Sequence, residues 1–585
     1  MKIYTIAVQR FLASCGDDTV RQYDMMKLVV AVQGLQNRNA PSLFLFWQDA
    51  DRFWMDFMRE DGNFLQDAVL EEIPDFASFL TLYGDFIHTC GIVAWDETVP
   101  ATMNAATTAC GVTSMLPIRY SERPESVLQQ VCRSCSAEIR LNLSGRFTGS
   151  GTIWQTSRPS SGSAKCDAYL WALENYFDRC SDSLLFYTLD AVSWDEHTLR
   201  YPDLGNAFVY NHDYAISKRA FVFDLCCYDD ETPCDDPMQP LGCDLRTMKE
   251  ILLRQVQKNH GEKMTTVCGF NPWQLKYTTH GGKGSHEPVA AEWRLTEILS
   301  AYNCVKDADA FGYCGLANAS LYTHYPLREH YSNRTAPNAL PDFDPQQTYI
   351  LFYVGDYDAA AWLTRHVPMW FKDPALGKNP LMWCFNPNLS DRVPMVFDFV
   401  YRRFTDNDFF AAGDSGAGYN NPRLLYPPRI HSALPDASAL NIAHNRPYFE
   451  RFDLHDIGFV INGVYPLDDR QMEDLTRFAD GGIGYNNGPA EASVRNDVVF
   501  MPHSYDVSCE NATLKSCVRQ VLAGVDRFPK GKRFHIFRTI LTSPTRHDEI
   551  LEAIRKARPE ANFTLLDPRT FFALAKKAVE NGWTL

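Results

Sequence analysis

The chain has 585 residues and a mass of 66.6 kDa, more than one hydrophobic core usually organises, which predicts two to four domains. Its 72 acidic and 56 basic residues give a formal net charge of −16, a field that repels phosphate backbones and anionic membranes and argues against both as partners. No apolar run approaches the roughly eighteen residues of a membrane span. The polar opening segment predicts a cytoplasmic chain, although a secreted chain whose signal had been cleaved would have the same sequence.

The seventeen cysteines are scattered, several of them within apolar runs, as at Cys268 and Cys384. This pattern favours buried thiols in a reducing compartment over a disulfide framework. Cys132 and Cys135 form the only C-x-x-C, and no second pair at zinc-site spacing accompanies it. We therefore expect no metal and no cofactor, and the composition indicates no particular oligomeric state.

The amino-terminal third is predicted to form small α/β units. We expect one subdomain over residues 1–88 and a compact βαβ subdomain over 89–150, where an apolar run, an Ala/Thr-rich helix and a second apolar run follow one another. A third subdomain is expected over 151–219. The Gly/Ser-rich stretch from Gly145 to Lys165 is the linker candidate and is expected to be exposed.

From residue 220 to 585 short apolar runs alternate with amphipathic helical stretches, which indicates parallel strands covered by helices. About eight such repeats predict an α/β fold with a C-terminal (β/α)-barrel of the TIM-barrel-like type. The candidate strands are AFVFDL, TTVCGF, DAFGY, YILFYVG, LMWCF, FFAAG, GFVIN, VVFMP, HIFRTI and FTLLD. These outnumber the strands that a barrel needs, so some of these strand predictions must be wrong.

Polar side chains follow many of these runs, at the strand ends where barrel enzymes build their active sites. They are Asp224, Asn271, Trp273, Asp356, Asp358, Asn386, Asp414, Ser415, Asn462 and His503. Singly, each Asn or Asp could merely cap the next helix or make a turn. Together they favour a functional site at the carboxyl ends of the strands.

Asp356 and Asp358 lie two residues apart at the end of YILFYVGDYD. On a regular strand both carboxylates would point the same way, with Cα atoms roughly 6 to 7 Å apart. Two nearby carboxylates can divide into an acid and a base, because each raises the other's cost of ionising. The alternative is a helix cap followed by an acidic first turn.

The segment GDSGAGYNNP places Gly413, Gly416 and Gly418 around Asp414 and Ser415, ahead of Tyr419. Glycines permit positive φ, so this loop could wrap a ligand with its amides or serve only as a structural turn. Its G-x-S start superficially resembles a nucleophile elbow, but Ala417 occupies the final glycine position and no helical pattern follows, which disfavours an α/β-hydrolase triad.

At this loop the sequence resembles the GxGYxYP putative glycoside hydrolase family, with Asn421 at the place of that family's second tyrosine. Asp356-Tyr357-Asp358-Ala359 is similar to the family's Asp-Gly-Asp-Asn stretch, with Tyr357 and Ala359 departing from it. VQGLQNR, WDETVPATMN, DDETPCDDPMQPLG, GFNPWQLKYT and AEWRLTEIL extend the similarity over nearly the whole chain. The resemblance implies small amino-terminal domains, a barrel of the glycosidase type and a carbohydrate substrate.

We therefore expect a glycosidase that uses two carboxylates, with Asp356 or Asp358 paired to a carboxylate from another loop. The candidate partners are Asp414, Asp230 and Glu292. The expected substrate contacts are Tyr419, Ser415, Gly416, Gly418, Trp273, Lys276, Asn271, Asn386, Asn462 and His503. The alternatives are a non-catalytic carbohydrate-binding protein and a metal-dependent polysaccharide deacetylase, which the absence of H-x-x-x-H and H-E-x-x-H motifs disfavours.

Overall fold

The structure of the protein is a computed structural model. It describes residues 1–187, 211–233, 235–269, 279, 284–308, 316–335, 339–486, 491–509, 512–528 and 531–583. The chain divides into two compact units, one formed by Met1–Tyr302 with Asp309–Pro326 and the other by Asn303–Ala308 with Leu327–Leu585. None of the helices in the described part of the chain combines the length and the apolarity that a membrane crossing requires. The fifteen cysteines among the described residues are free thiols.

The first unit contains parallel sheets with strand orders β2-β1-β3, β5-β4-β6 and β9-β7-β8. The strands are β1 (Lys2–Ala7), β2 (Leu43–Phe46), β3 (Val69–Glu72), β4 (Ile92–Trp95), β5 (Leu116–Arg119), β6 (Ile139–Asn142), β7 (Leu184–Tyr187), β8 (Phe221–Phe223) and β9 (Thr265–Cys268).

Helices cover these sheets, and several begin at a side chain that accepts the first free backbone N–H, as Asp75 does from Ser78 at 2.8 Å. The helices are α1 (Val8–Leu12), α2 (Thr19–Gln36), α3 (Asp49–Met58), α4 (Phe76–Cys90), α5 (Ala101–Thr113), α6 (Val127–Cys135), α7 (Ala164–Tyr176), α8 (His212–Ser217), α9 (Cys243–Lys258), α10 (Pro288–Ala301) and α11 (Ala319–Tyr322), with 3-10 turns at Ala13–Cys15 and Phe177–Arg179.

The division of the chain lies later than residue 220. Two runs that were expected in the barrel, β8 and β9, pair instead with β7 in the first unit. Both are short, largely buried apolar strands, so composition alone does not distinguish them from barrel strands. The expected subdomains at 1–88 and 89–150 each contain their own three-stranded sheet, whereas the sheet of the third extends to residue 268.

The stretch from Gly145 to Lys165 lies inside the first unit and does not separate the two units. Much of it is exposed, yet Arg158 forms a bidentate ion pair with Glu250 at 2.5 and 2.6 Å. Ser161 donates its backbone N–H to Asp167 at 2.7 Å. This Gly/Ser-rich stretch is therefore a surface loop of the first unit that an ion pair and a hydrogen bond hold in place.

The second unit is built on a closed barrel of parallel strands. The described strands of this unit are β10 (Cys304–Asp307), β11 (Thr348–Tyr357), β12 (Leu381–Phe385), β13 (Asp408–Asp414), β14 (Ile457–Val460), β15 (Gly482–Tyr485), β16 (Ser493–Arg495), β17 (Val498–Val507), β18 (Phe534–Ile540) and β19 (Phe563–Leu565). The barrel sheet is formed by β11 to β19, and β10 lies outside it. The order β11-β12-β13-β14-β15-β17-β18 returns to β11, so seven of these described strands close the barrel. β19 pairs with the start of β11, and β16 is antiparallel to β17.

Helices follow most barrel strands, as a parallel barrel requires. They are α12 (Ala360–Phe371), α13 (Pro394–Arg403), α14 (Ser438–Phe452), α15 (Asp469–Leu475), α16 (Leu514–Asp526), α17 (Pro544–Ala557) and α18 (Pro568–Glu580), with 3-10 turns at Pro387–Asp391, Pro422–Leu425 and Pro559–Ala561. The barrel interior is a packed core of side chains that includes Tyr349, Leu351, Met382, Met501 and Ile536.

The α/β class and the closed parallel barrel agree with the sequence, but the barrel has seven closing strands among the described residues rather than about eight. The sequence did not predict β15, GIGY. Two of its four residues are glycines, which contribute little hydrophobic signal. Glycine is needed because neighbouring side chains fill the space: a Cβ at Gly482 would overlap the Phe572 ring, and one at Gly484 would lie 2.6 Å from His503 Nε2. The candidate strand DAFGY lies outside the described residues.

Candidate active site

Arg538 of β18 points into the carboxyl end of the barrel. It is in register with Tyr353 of β11 and with Asp506 of β17, and its guanidinium carbon lies 5.0 Å from the centroid of the Phe459 ring. The layer beneath it is the apolar barrel core. A guanidinium in such a position has to be paired with acids, because burial of an isolated charge is costly.

Asp356 supplies one of these acids. Its Oδ1 lies 3.2 Å from Arg538 Nη2, and its side chain is 34% exposed. Asp356 adopts a left-handed φ of 74°, and the pairing of β11 with β12 shifts register between Val354 and Tyr357. This irregularity breaks strand alternation and re-aims the side chain at Arg538. Burial raises the pKa of Asp356, the charge of Arg538 opposes that rise, and Asp506 adds to it.

Asp506 supplies the second acid from the other side of β18. Its Oδ2 lies 3.5 Å from Arg538 Nη1, and its side chain is 41% exposed. β17 has a register shift between His503 and Tyr505, so a second irregularity precedes this carboxylate. Its Oδ1 is buried and has no hydrogen-bond partner among the described residues. The two oxygens of Asp506 therefore differ, since Oδ2 contacts the arginine and Oδ1 does not share that contact.

Asp414, at the end of β13, is a third carboxylate near the same guanidinium. Burial acts to lower the pKa of Arg538, but the charges of Asp356, Asp506 and Asp414, together with Tyr353, raise it above its usual value. Arg538 therefore remains charged at every working pH. The Asp414 backbone N–H donates to Asn386 Oδ1 at 2.9 Å, which fixes the end of β13 beside β12.

Three further polar side chains at this end of the barrel carry buried atoms that lack hydrogen-bond partners within the described part of the chain. These atoms are the Tyr353 hydroxyl, Asn386 Nδ2 and His503 Nδ1. Buried polar groups in native proteins are nearly always satisfied by protein, water or ligand. These three atoms could therefore bind a polar molecule at this end of the barrel.

His503 is held as a neutral ring in one tautomer. Its Nε2 lies 2.8 Å from the Gly458 carbonyl oxygen, and because a carbonyl only accepts, Nε2 carries the hydrogen and Nδ1 is left as an acceptor. Burial lowers the pKa of His503 to about 4. Glycines make room here: a Cβ at Gly355 or Gly458 would overlap the Tyr353 ring.

The GDSGAGYNNP loop is folded onto the barrel. The Ser415 hydroxyl donates to the Asn420 carbonyl at 2.9 Å and accepts the Ile461 N–H at 3.0 Å, which occupies it inside the loop. Gly416 and Gly418 have φ of 112° and 117°, and side chains there would meet Asn445 Oδ1 and the Val305 side chain. The glycines are therefore required for close packing.

Tyr419 is almost fully buried and belongs to the same core cluster as Tyr353 and Phe459. Its backbone exchanges hydrogen bonds with Lys306 at 2.8 and 3.0 Å, and the Lys306 ammonium lies 4.6 Å from the centre of its ring. Tyr419 and Asp414 thus lie at the end of the barrel that holds Asp356.

The remaining expected residues are placed differently. Asn462 accepts the Arg423 N–H at 3.0 Å and Gln471 Nε2 at 3.1 Å, which is a structural network. Asp358 lies just beyond β11, where its carbonyl accepts the Ala308 N–H at 3.2 Å. Because Asp356 has a left-handed φ, regular alternation does not apply, and the expected shared face of the two aspartates does not follow.

Glu292 and Asp230 belong to the first unit, on α10 and in a surface loop respectively. Asp230 is exposed and contacts His286 at 2.9 Å. Asp224 is buried in the same unit and contacts Lys165 at 3.4 Å. The expected substrate contacts Trp273, Lys276 and Asn271 lie outside the described residues.

Sequence reasoning missed Asp506 and Arg538. The apolar run VVFMP ends at Pro502, whereas β17 continues through its irregularity to Val507. Arg538 lies within the run HIFRTI, whose apolar neighbours predict a strand and give the arginine no separate role. The available signal was a lone arginine inside an otherwise apolar barrel strand, because such a charge has to be paired or functional.

The second unit is thus an α/β-barrel domain in which two carboxylates, those of Asp356 and Asp506, contact one arginine at the carboxyl end of the strands. Residues 346–575 match the family model described as the GxGYxYP putative glycoside hydrolase C-terminal domain. The match contains the seven barrel strands among the described residues and confirms the resemblance that the GAGYNNP loop predicts.

The fold is also similar to that of a crystal structure described as a putative hydrolase from Bacteroides thetaiotaomicron. The TM-score is 0.67 at 14% sequence identity, and the similarity covers 98% of this chain and 94% of that chain. At this identity the likeness concerns the fold. No curated protein matches the chain in sequence.

Proposed function

We propose that the protein is a glycoside hydrolase whose carboxylate pair is Asp356 and Asp506. The observation that carries the proposal is that two partly exposed carboxylates contact the two terminal nitrogens of one guanidinium, at 3.2 and 3.5 Å. Since those nitrogens belong to one rigid fork, the two carboxylates are at most about 9 Å apart. Retaining pairs lie about 5 to 5.5 Å apart and inverting pairs about 6.5 to 9.5 Å.

The roles divide according to environment. Asp356, whose pKa is raised by burial, donates the proton to the leaving oxygen. Asp506, whose side chain is 41% exposed and contacts Arg538 through Oδ2, acts as nucleophile or as base for the attacking water. Arg538 positions both acids, and Asp414 adds negative charge beside them. That charge stabilises the cationic character of an oxocarbenium-like transition state.

Substrate hydroxyls are bound by the buried polar atoms nearby. Tyr353, Asn386 and His503 offer a hydroxyl, an amide N–H and a ring acceptor. A sugar ring presents hydroxyls that both donate and accept, which suits such a mixed set. Tyr419 and the glycines Gly416 and Gly418 shape the neighbouring wall in this proposal.

Product analysis on a panel of plant, host and bacterial glycans tests the proposal. The native protein should release reducing ends from at least one glycan, and the Asp356→Asn and Asp506→Asn variants should not, although they still bind it. Asp497→Asn is the matched control, since Asp497 is exposed on the surface and contacts Lys576. Binding without release by the native protein would favour the non-catalytic alternative, and equal release by all variants would remove this pair from the mechanism.

A further inference from the structure

Two buried cysteines of the first unit are in contact at the starts of two different helices. Cys166 lies in the first turn of α7, and Cys243 is the first residue of α9. Their thiols are hydrogen-bonded to each other. We propose that Cys166 and Cys243 form a reversible disulfide when the protein meets a peroxide, and that this bond fastens α7 to α9. The bond would form whether or not the second unit hydrolyses glycans.

Neighbouring polar groups hold the two sulfurs in place. Cys166 Sγ lies 3.3 Å from Asp244 Oδ1, and Cys243 Sγ lies 3.7 Å from the Ser161 carbonyl oxygen. Asp244 is fixed in turn, because its Oδ2 accepts from Lys165 Nζ at 2.8 Å. A disulfide requires two cysteines whose side chains already approach each other, and thiols in contact meet this requirement with little movement of the backbone.

The two thiols differ in acidity, as a reactive pair requires. The hydrogen bond from Cys166 lowers the pKa of Cys243 to about 7, although burial opposes this effect. Cys243 also begins a helix of sixteen residues, whose positive end stabilises a thiolate. Burial raises the pKa of Cys166 well above its usual value, so this thiol stays protonated. Cys243 is therefore the attacking thiol, and Cys166 is the thiol that completes the disulfide.

The place of Cys243 in the chain suits a small oxidant. It follows a surface segment in which Met238 is 89% exposed and Leu241 is 55% exposed, yet Cys243 itself is only 2% exposed. Hydrogen peroxide is smaller than glutathione disulfide, so it reaches a nearly buried thiol more easily. Oxidation of thiols by peroxide follows thiolate character and access, which favours Cys243 as the first cysteine to react.

The reaction has two steps, and it balances. The Cys243 thiolate attacks one oxygen of hydrogen peroxide, the O–O bond breaks, and hydroxide leaves, so that Cys243 carries a sulfenic acid. The Cys166 sulfur then attacks the Cys243 sulfur, its proton passes to Asp244, and the S–O bond breaks with loss of a second hydroxide. The two hydroxides take up the two thiol protons. Two thiols and one peroxide thus give one disulfide and two water molecules.

A second thiol contact, in the second unit, is the matched comparison. Cys509 and Cys517 are also hydrogen-bonded to each other. Burial raises the pKa of Cys509 to about 12, and Cys517 lies inside α16 rather than at its first residue. Contact between the thiols is therefore present in both pairs, whereas a thiol that ionises near neutral pH at the start of a helix is present in the first. We expect the Cys509–Cys517 pair to oxidise more slowly.

Peptide mapping of the full chain tests the proposal. The protein is exposed to hydrogen peroxide, the remaining thiols are alkylated, and cross-linked peptides are identified by mass spectrometry. The Cys166–Cys243 disulfide should form roughly tenfold faster than any other and should be reversed by dithiothreitol. In the oxidised protein one thermal unfolding transition should rise by about 5 °C, because the cross-link restricts the unfolded chain.

Serine variants separate the roles of the two thiols. In Cys166→Ser the sulfenic acid at Cys243 should persist and react with dimedone, whereas Cys243→Ser should leave Cys166 reduced. Cys517→Ser is the control and should not change the Cys166–Cys243 bond.

The map of the native chain decides the outcome even where a serine variant does not fold. A disulfide between Cys243 and any other cysteine would overturn the proposal. Oxidation of Cys243 without a cross-link, earlier oxidation of Cys509, or failure of Cys166 and Cys243 to react would each overturn it as well.

Discussion

The two ends of the barrel each hold a buried arginine paired with aspartate, and the two pairs are built differently. At the amino end Arg569 Nη1 lies 2.7 Å from Asp456 Oδ2, and the other oxygen of Asp456 accepts the Gly482 N–H at 2.7 Å. At the carboxyl end Arg538 is shared between Asp356 and Asp506 at 3.2 and 3.5 Å, and both carboxylates are partly exposed.

The difference between the two pairs indicates which end of the barrel carries the candidate active site. The amino-end pair is short and both oxygens of its carboxylate are satisfied, as expected of a group that stabilises the fold. The carboxyl-end group leaves polar atoms unpartnered among the described residues and holds Asp356 in a strained backbone conformation. Protein interiors retain such departures mainly at functional sites.

A cavity at the amino end shows the same contrast. Its volume is about 470 Å³, it lies beside the loops that precede β14 and β15, and its lining includes His455, Asp453 and Asp480. His455 contacts Asp480 at 2.6 Å and Asp453 at 3.3 Å, so these ionisable groups pair with one another. We therefore assign the candidate active site from the chemistry of its residues.

The largest expected effect is on turnover. Asp356→Asn and Asp506→Asn should each lower kcat by roughly 10²- to 10⁴-fold, because proton transfer and the nucleophilic carboxylate are lost while shape is kept. Asp456→Asn, at the amino end, should lower stability without lowering kcat comparably. Steady-state kinetics on a cleaved glycan measures all three, and an equal loss of kcat in Asp456→Asn would erase the functional distinction between the two ends.

Arg538→Gln should act on both stability and pH dependence. Loss of the guanidinium leaves Asp356 and Asp506 without the cation that both contact, which should lower the free energy of unfolding by about 2 to 3 kcal/mol. Arg538 opposes the rise in the pKa of Asp356, so without it this pKa rises further and the high-pH limb of activity should move to higher pH.

Arg569→Gln is the control for this change. It should lower stability by a similar amount, since it breaks the buried pair with Asp456, but the pH profile of activity should stay in place. Chemical unfolding and a pH–rate profile distinguish the two variants. A shifted profile in Arg569→Gln, or an unshifted one in Arg538→Gln, would contradict the positioning role of Arg538.

The sequence predicted much of the second unit and only part of its site. Strands such as YILFYVG and LMWCF carry a continuous apolar signal because both faces are buried, and the helices between them carry period 3.6. Asp356 and Asp414 could be placed at strand ends because each lies at the end of a recognisable apolar run. Asp506 could not, because the irregularity in β17 changes which side chains face inward, and single-sequence patterns do not report register.

Domain boundaries were harder to predict for a related reason. β8 and β9 have the composition of barrel strands, and only their pairing with β7 assigns them to the first unit. In β15 a barrel strand was not predicted at all, because its glycines carry no apolar side chains. The strand is nevertheless fully buried, and Phe572 and His503 fill the space beside its glycines. Strand pairing and the packing of distant side chains depend on the tertiary structure. The local periodicity of a sequence therefore does not predict them.

Glycine substitutions on β15 compare the two ends within one strand. Gly484→Ala would push a methyl group against the Gly458 carbonyl oxygen and the His503 ring, and Gly482→Ala against Phe572, so each should lower the free energy of unfolding by about 1 to 3 kcal/mol. Only Gly484→Ala should also weaken glycan binding, since His503 offers its Nδ1 to the ligand. Calorimetric titration beside chemical unfolding checks this, and unaltered binding by Gly484→Ala would remove His503 from the site.

The smallest effect is expected from substitution of His455. This residue lies at the amino end of the barrel, where we expect side chains to contribute to stability and not to catalysis. Its hydrogen bond to Asp480 is the main cause of its raised pKa, so the folded state binds the proton more tightly than the unfolded state does. The resulting stability is fully present below the unfolded pKa of about 6.5 and is lost as pH rises through the folded pKa. Because His455 is 38% exposed, solvent screening limits the contribution to about 0.5 kcal/mol.

The His455→Gln variant should therefore be less stable than the native protein near pH 6. The difference in the free energy of unfolding should shrink as the pH is raised further. A double-mutant cycle with Asp480→Asn isolates the pair, and a coupling energy that stays constant across this range, or a change in kcat, would show that the amino end does more than hold the barrel together.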